Sequence, residues 1–272
     1  MKKNWTLKAA GILLALTLIT SCFVGGTFAK YVTAAGSTNT ARVAKFGVEV
    51  SADSSSMFKT KYTTDDTSAT SITNSVSVTS GDSSKLVAPG TKEDNTLIFS
   101  ITGTPEVAVK VEIKLDVVSD VFLKAGTYQD RTKAPYNDTF DVAEGGYYPV
   151  VFTLKKGDTQ IAQGNLDTIE TEIEKLSNNY EAGSDSTKSL AAIAGEYTLS
   201  WEWAFETGST DEEKAKFNAA DTLLGDLAAK DTAAAGQEWK WSDTDNGFVE
   251  ITADNFSTNI EFTLSITITQ ID

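Results

Sequence analysis

The chain has 272 residues, 38 of them acidic and 23 Lys or Arg, with a formal charge of −15. That length allows one large core or two small ones, and that charge repels nucleic acid and anionic lipid. It contains no histidine, which excludes Ser-His-Asp and Cys-His sites, His-containing zinc sites and HExxH.

No Gly-rich phosphate loop of the Walker or dinucleotide type is present. A carboxylate pair of the glycosidase kind is the one remaining catalytic route. Among 38 acids, the nearness of any two carries little weight. The expectation is a protein that is not an enzyme and needs no cofactor.

The N-terminus is read first. Lys2, Lys3 and Lys8 precede the uncharged run Ala9 to Val24, and Gly25-Gly26 ends it. Thr27 and Ala29 place small residues at −3 and −1 of a cut before Lys30. This order predicts a secretory signal peptide over 1–29. A membrane-spanning helix is the competing reading, but the run reaches only about 24 Å against a hydrocarbon core of about 30 Å. Cys22, the only cysteine, follows Ile19-Thr20-Ser21 like a lipobox and offers lipidation as an alternative to cleavage after Ala29. Its other reading is a small apolar residue of the run. Cleavage removes three lysines and no acid, so the mature chain is more acidic still and has no cysteine for a disulfide. No wall-sorting motif is seen after Thr267. The expected product is therefore secreted, without a stable membrane span.

Residues 30–42, beginning Lys30-Tyr31-Val32, form a polar extended arm, and 43–272 are read as a single β domain. Period-two alternation dominates that domain. It sets Ala44, Phe46, Val48 and Val50 on one face, then Leu97, Phe99 and Ile101, then Val107 to Leu115 at odd positions. Val150, Phe152 and Leu154 follow, then Tyr197 to Phe205 and Ile260 to Ile268. One apolar and one polar face per strand predicts antiparallel sheets, and turn-rich spacing predicts a two-sheet β-sandwich. The Ser/Thr/Asp-rich stretch 51–84 predicts exposed chain with one short edge strand around Ser75 to Thr79.

Two helices interrupt this pattern. Leu166, Ile169, Ile173 and Leu176 recur at helical spacing near 165–178. The capping box Thr210-Asp211-Glu212-Glu213 starts a second helix near 211–229, with Phe217, Ala220, Leu224 and Leu227 on its buried face. Both read as insertions packed at the sandwich edge.

Calcium is the one cation its acidic loops invite. The candidates are Asp65-Asp66, Asp116 with Asp120, Asp243 to Gly247 and Asp254-Asn255. Asp243-Thr244-Asp245-Asn246-Gly247 lacks a distal Glu and reads better as a hairpin turn between Trp241 and Phe248. Trp201, Trp203, Trp239 and Trp241 offer either a glycan platform or core. Trp201 and Trp203 share a face with Leu199, which favours core.

Gly25-Gly26-Thr27-Phe28-Ala29-Lys30-Tyr31-Val32-Thr33, followed by Ala41-Arg42-Val43-Ala44-Lys45-Phe46-Gly47-Val48, resembles the TasA/camelysin family of exported Gram-positive proteins. The resemblance implies a SipW-type signal peptidase during export and a jelly-roll-like sandwich. It also implies an extracellular biofilm-matrix fibre in which the freed N-terminal segment inserts as a strand into the next subunit. Self-association or related matrix proteins are the implied partners. A protease activity described for camelysin has no counterpart here, since the chain lacks HExxH. Ala-Lys-Tyr-Val-Thr also departs from the Ala-Phe-x-Asp type of start seen in the family. The alternative function is a cell-surface lipoprotein, binding ligand or glycan and tethered through Cys22.

Overall fold

A computed structural model of the protein describes residues 42–53, 57–63, 77–229 and 238–271. The signal segment, Cys22 and the arm before Arg42 lie outside the described residues.

Among these the chain forms β1 (Val48–Ala52), β2 (Lys61–Tyr62), β3 (Val78–Thr79), β4 (Lys92–Gly103), β5 (Val109–Ser119) and β6 (Phe122–Leu123). It continues through β7 (Gly126–Gln129), β8 (Thr139–Val142), β9 (Val150–Lys156), β10 (Thr159–Gly164), helix α1 (Leu166–Glu174) and β11 (Asn178–Tyr180). A 3-10 turn (Leu190–Ala192), β12 (Gly195–Trp203) and helix α2 (Asp211–Ala228) follow. Last come β13 (Glu238–Ser242), β14 (Gly247–Glu250), β15 (Phe256–Ser257) and β16 (Glu261–Gln270).

The protein is mainly β, in several antiparallel sheets. A five-stranded sheet runs β1-β4-β12-β9-β10, a three-stranded sheet β11-β5-β16 and a four-stranded sheet β14-β13-β7-β8. Two-stranded pairs β6-β15 and β2-β3 complete the set.

The alternation of β5 works as predicted. Val109, Val111, Ile113 and Leu115 are buried, while Lys110, Glu112 and Lys114 face water. In β9, Val150, Phe152 and Leu154 are buried; in β12, so are Tyr197, Leu199, Trp201 and Trp203. These side chains from the five- and three-stranded sheets belong to one continuous core. Phe99 and Tyr197 stack at 4.3 Å between ring centroids, which fixes the β4–β12 register from the inside.

Helix α1 closes one side of that core. Asn165 caps it, accepting from the Thr168 N–H at 3.1 Å, and Leu166, Ile169 and Ile173 are fully buried. The helix packs on β5 of one sheet and on β9 and β10 of the other, so it spans the gap between them. Helix α2 carries the predicted capping box and packs on β8 and β6.

Several expectations are corrected. Helix α1 ends at Glu174, so Leu176 lies past it and is only half-buried. The buried face of α2 is Ala219, Ala220, Leu223, Leu224 and Leu227; Phe217 instead lies half-buried, stacked on Tyr147 at 5.4 Å. Strand β12 stops at Trp203, and Phe205 beyond it is 52% exposed. The first strand starts at Val48 rather than Ala44, and Val50 is exposed, because β1 is the edge strand of its sheet. Of the predicted edge strand around 75–79, Val78–Thr79 form β3, paired with β2, while Ser75 and Val76 lie outside the described residues.

Trp201 ties the 57–63 segment to the core. Its Nε1 donates to the Met57 carbonyl at 2.8 Å, and Phe58 and Tyr62 pack on its ring. Replacing Trp201 with Phe leaves that buried carbonyl without this donor and opens a void. We expect Trp201→Phe to destabilise the fold by about 2–4 kcal/mol in denaturant titration, with hydrogen exchange accelerated first at residues 57–63.

Candidate functional site

The described chain begins at a clamp. The Arg42 guanidinium grips both carboxylate oxygens of Glu106, through Nη2 to Oε1 and through Nη1 to Oε2 at 2.6 Å. The Lys45 N–H donates to the same carboxylate at 2.9 Å, and the Glu106 N–H donates back to the Lys45 carbonyl at 2.8 Å. The Arg42 guanidinium, with the Lys45 N–H, holds the Glu106 carboxyl at about 2, far below the ordinary carboxylate range. The pair is exposed, so its ionic part contributes little by itself. What it supplies is position, because paired guanidinium and backbone bonds leave residues 42–45 one path.

Gly103 makes that path closable. It has φ +125°, and a Cβ there would lie 2.1 Å from the Gly47 carbonyl oxygen, so no other residue allows β1 to enter its pairing with β4. Val43, Phe46 and Val50 are all exposed along this entry segment. Beyond it, β1 approaches β16, the outer strand of the three-stranded sheet. The core is thus closed by α1 on one side and bounded on the other by two strand edges.

Two buried carboxyls form the other unusual chemistry. Asp120, 6% exposed, accepts from the Leu166 N–H at 3.0 Å and from the Val121 N–H at 2.8 Å, fastening the first turn of α1 to the end of β5. Asp221 on α2 accepts from the Tyr147 hydroxyl at 2.8 Å and from Trp203 Nε1 at 3.1 Å. Burial pushes both carboxyls up to about 6, and burial beside Asp221 pushes the Tyr147 phenol far up as well. Both oxygens of Asp120 accept from backbone N–H groups, and Oδ1 of Asp221 accepts both of that residue's bonds. Neither residue was singled out in these roles from sequence. The available signal for Asp221 was an acid set one residue after Ala220 and three before Leu224, inside an apolar stripe.

The residues named from sequence are placed as follows. Thr27, Ala29, Lys30, Tyr31 and Val32 lie outside the described residues, as do Asp65-Asp66. Asp116 pairs with Lys114 on the surface while Asp120 turns inward, so these two do not converge. Asp243 accepts from Trp241 Nε1 at 2.9 Å and Asp245 from the Ser242 hydroxyl at 2.9 Å, within the β13–β14 turn. Asn246 takes φ +54° there, as a hairpin turn requires. Asn255 is engaged with Thr252. Among the described residues, no three acidic or cysteine side chains gather where an ion would sit. Trp201, Trp203 and Trp239 are buried, and Trp241 packs edge-on against Phe248.

Asp120 and Asp221 set a pH dependence. Their folded values near 6 exceed the ordinary 3.8, so the folded state holds protons that the unfolded chain has released. The stabilisation is complete below about pH 4 and is lost as pH rises through 6. We expect the melting temperature to rise as pH is lowered from 8 to 5. Asp221→Asn, which keeps an acceptor oxygen without the charge, should flatten that slope and stabilise the protein at pH 8 by on the order of 2 kcal/mol. An unchanged slope would contradict this assignment.

No protein-family model matches the chain, and neither a characterised protein nor a solved structure is significantly similar to it.

Proposed function

We propose that the protein is a secreted structural subunit of an extracellular matrix or fibre, in which residues 30–42 of one copy add as a strand to the body of another. The five- and three-stranded sheets are then the two layers of a jelly-roll-like sandwich, with both helices as insertions. Export rests on the charged, apolar and small-residue order of residues 1–29.

The observation that carries the reading is the clamp. Glu106 grips Arg42 at the point where the arm joins the body, and exposed Val43 and Phe46 follow at once. A segment joined at a fixed point, flanked by exposed apolar side chains and free of acidic residues from 30 to 41, is suited to pair with another body. The buried carboxyls favour the same reading. Acids with raised pKa in enzymes face a substrate, whereas Asp120 and Asp221 face the N–H and O–H groups that hold the helices. Self-association, or association with related matrix proteins, needs no cofactor.

Intact mass spectrometry and negative-stain microscopy of the native exported protein test this reading. We expect a mass that begins at Lys30, and filaments. Deletion of 30–41, which spares the Arg42 clamp, should abolish the filaments and leave the melting temperature within a few degrees. A mass beginning at acylated Cys22, with single particles only, would overturn the fibre in favour of a tethered binding module.

A further inference from the structure

The outer strand β16 differs from every other edge among the described residues. It is ten residues long, against six for β10, five for β1, four for β8 and β14 and three for β11. Natural edges are shortened, charged, bulged, broken by proline or covered. Strand β10 has a bulge between Gln160 and Ala162, and α1 packs on it. Strand β16 has one acid, Glu261, and one irregularity, both at its start. From Phe262 to Gln270 it carries no charge and no proline.

The direction of its backbone groups follows from two bonds. The Ile271 N–H donates to the Ala108 carbonyl at 2.9 Å. On the other side of β5, the Ser177 hydroxyl bonds both the N–H and the carbonyl of Ile113. In an antiparallel ladder both groups of a residue point the same way, and the direction alternates along the strand. The unbroken register from Phe262↔Val117 to Gln270↔Val109 therefore directs Thr263, Ser265, Thr267 and Thr269 toward β5. It leaves the N–H and C=O of Phe262, Leu264, Ile266, Ile268 and Gln270 pointing outward, where no strand among the described residues pairs with them.

The side chains are incomplete in the same sense. Val109, Val111, Ile113 and Leu115 of β5 are buried, but Leu264, Ile266 and Ile268 on the same face of β16 are only half-buried, as is Phe262 opposite half-buried Val117. A strand added along this edge would use the outward backbone groups and cover the half-buried side chains together.

We infer that the free edge of β16 is the acceptor for residues 30–41 of a second copy, an inference that rests on the strand-exchange assembly proposed above. Twelve extended residues reach about 40 Å and a ten-residue strand about 33 Å, so the arm spans the whole edge. The arm carries Lys30 and no acid, while the whole chain is strongly acidic, so approach is favoured by charge. The alternative occupant is the arm of the same chain. That arm joins the body at Arg42, held by Glu106 in the β4–β5 turn, at the end where Ile271 bonds Ala108. Lying on its own β16 it would run parallel to it, whereas a second copy can align antiparallel, the slightly more stable pairing.

The test uses the chain 30–272, which contains no cysteine. In Ile266→Pro the lost N–H points outward, so a folded monomer is expected, with filament elongation reduced at least tenfold. Independently, copies carrying Val32→Cys or Thr33→Cys are mixed with copies carrying Ser265→Cys or Thr267→Cys and oxidised. The inference expects cross-linked dimers from these mixtures and none when Gln160→Cys on β10 replaces the β16 cysteine. Cross-links at Gln160→Cys in place of β16, or cross-links formed only when both cysteines sit in one chain, would overturn it. Should deletion of 30–41 abolish filaments while Ile266→Pro elongates normally and no β16 cross-link forms, the fibre reading stands with a different acceptor. Filaments that survive the deletion overturn the fibre reading itself.

Discussion

Asp120 is the constraint on which the arrangement turns. Its buried carboxyl receives the Leu166 N–H and the Val121 N–H, so the end of β5 and the start of α1 are held by one side chain. With its first turn fixed there, α1 sets Leu166, Ile169 and Ile173 between the three-stranded sheet and the β9–β10 edge of the five-stranded one. A buried carboxylate is unfavourable without donors. Here it has two, and removing either the acid or the helix would leave the other's polar groups unmatched. Closure on the α1 side is therefore specified by a polar contact as much as by apolar area.

The opposite side has no such device among the described residues. There the boundary is made of β1, whose residues after Val48 are exposed, and β16, whose apolar face is half-buried. The Arg42–Glu106 clamp and the close approach of Gly103 to Gly47 fix how the chain enters this side, but they do not cover it. In the proposed assembly the missing cover comes from another copy, and the asymmetry between the two sides gives the subunit a head and a tail. A heterologous contact of that kind propagates into a filament wherever its rotation does not close a ring.

Strands long enough to express a period were legible in the sequence. Strands β5, β9, β12 and β16 each carry four or more residues of alternation. Val109 to Leu115, Val150 to Leu154 and Tyr197 to Trp203 are buried at the apolar positions, those of β16 are half-buried, and Val107 and Phe205 fall beyond the strand ends. Apolar spacing, joined at α2 by the capping box, placed both helices within a few residues. Short strands were not legible. Two to five residues hold too little alternation to separate strand from loop, so the four-stranded sheet of β14, β13, β7 and β8 was not foreseen beyond its Trp241–Phe248 hairpin. Alternation also says nothing about whether a face meets a partner, which is why Val50 and Phe205 were misplaced. The pins Asp120 and Asp221 lie among 38 acids of ordinary appearance, and only long-range contacts to Leu166, Tyr147 and Trp203 distinguish them. The leader and arm, which carried the functional reading, fall outside the described residues.

An uncharged edge of this length is a hazard for a free monomer, since it pairs with any extended chain it meets. The formal charge of −15 opposes that encounter between bodies, because like-charged surfaces repel before their edges align. The arm is the exception, with Lys30 and no acid through residue 41. Charge then discriminates between two uses of the same backbone groups, discouraging body against body and admitting arm against body. Specificity of this kind depends on the repulsive element as much as on the attractive one. On that view the acidity of the chain and the unprotected edge of β16 are linked: the edge can remain open for assembly because the rest of the surface keeps unsuitable partners away.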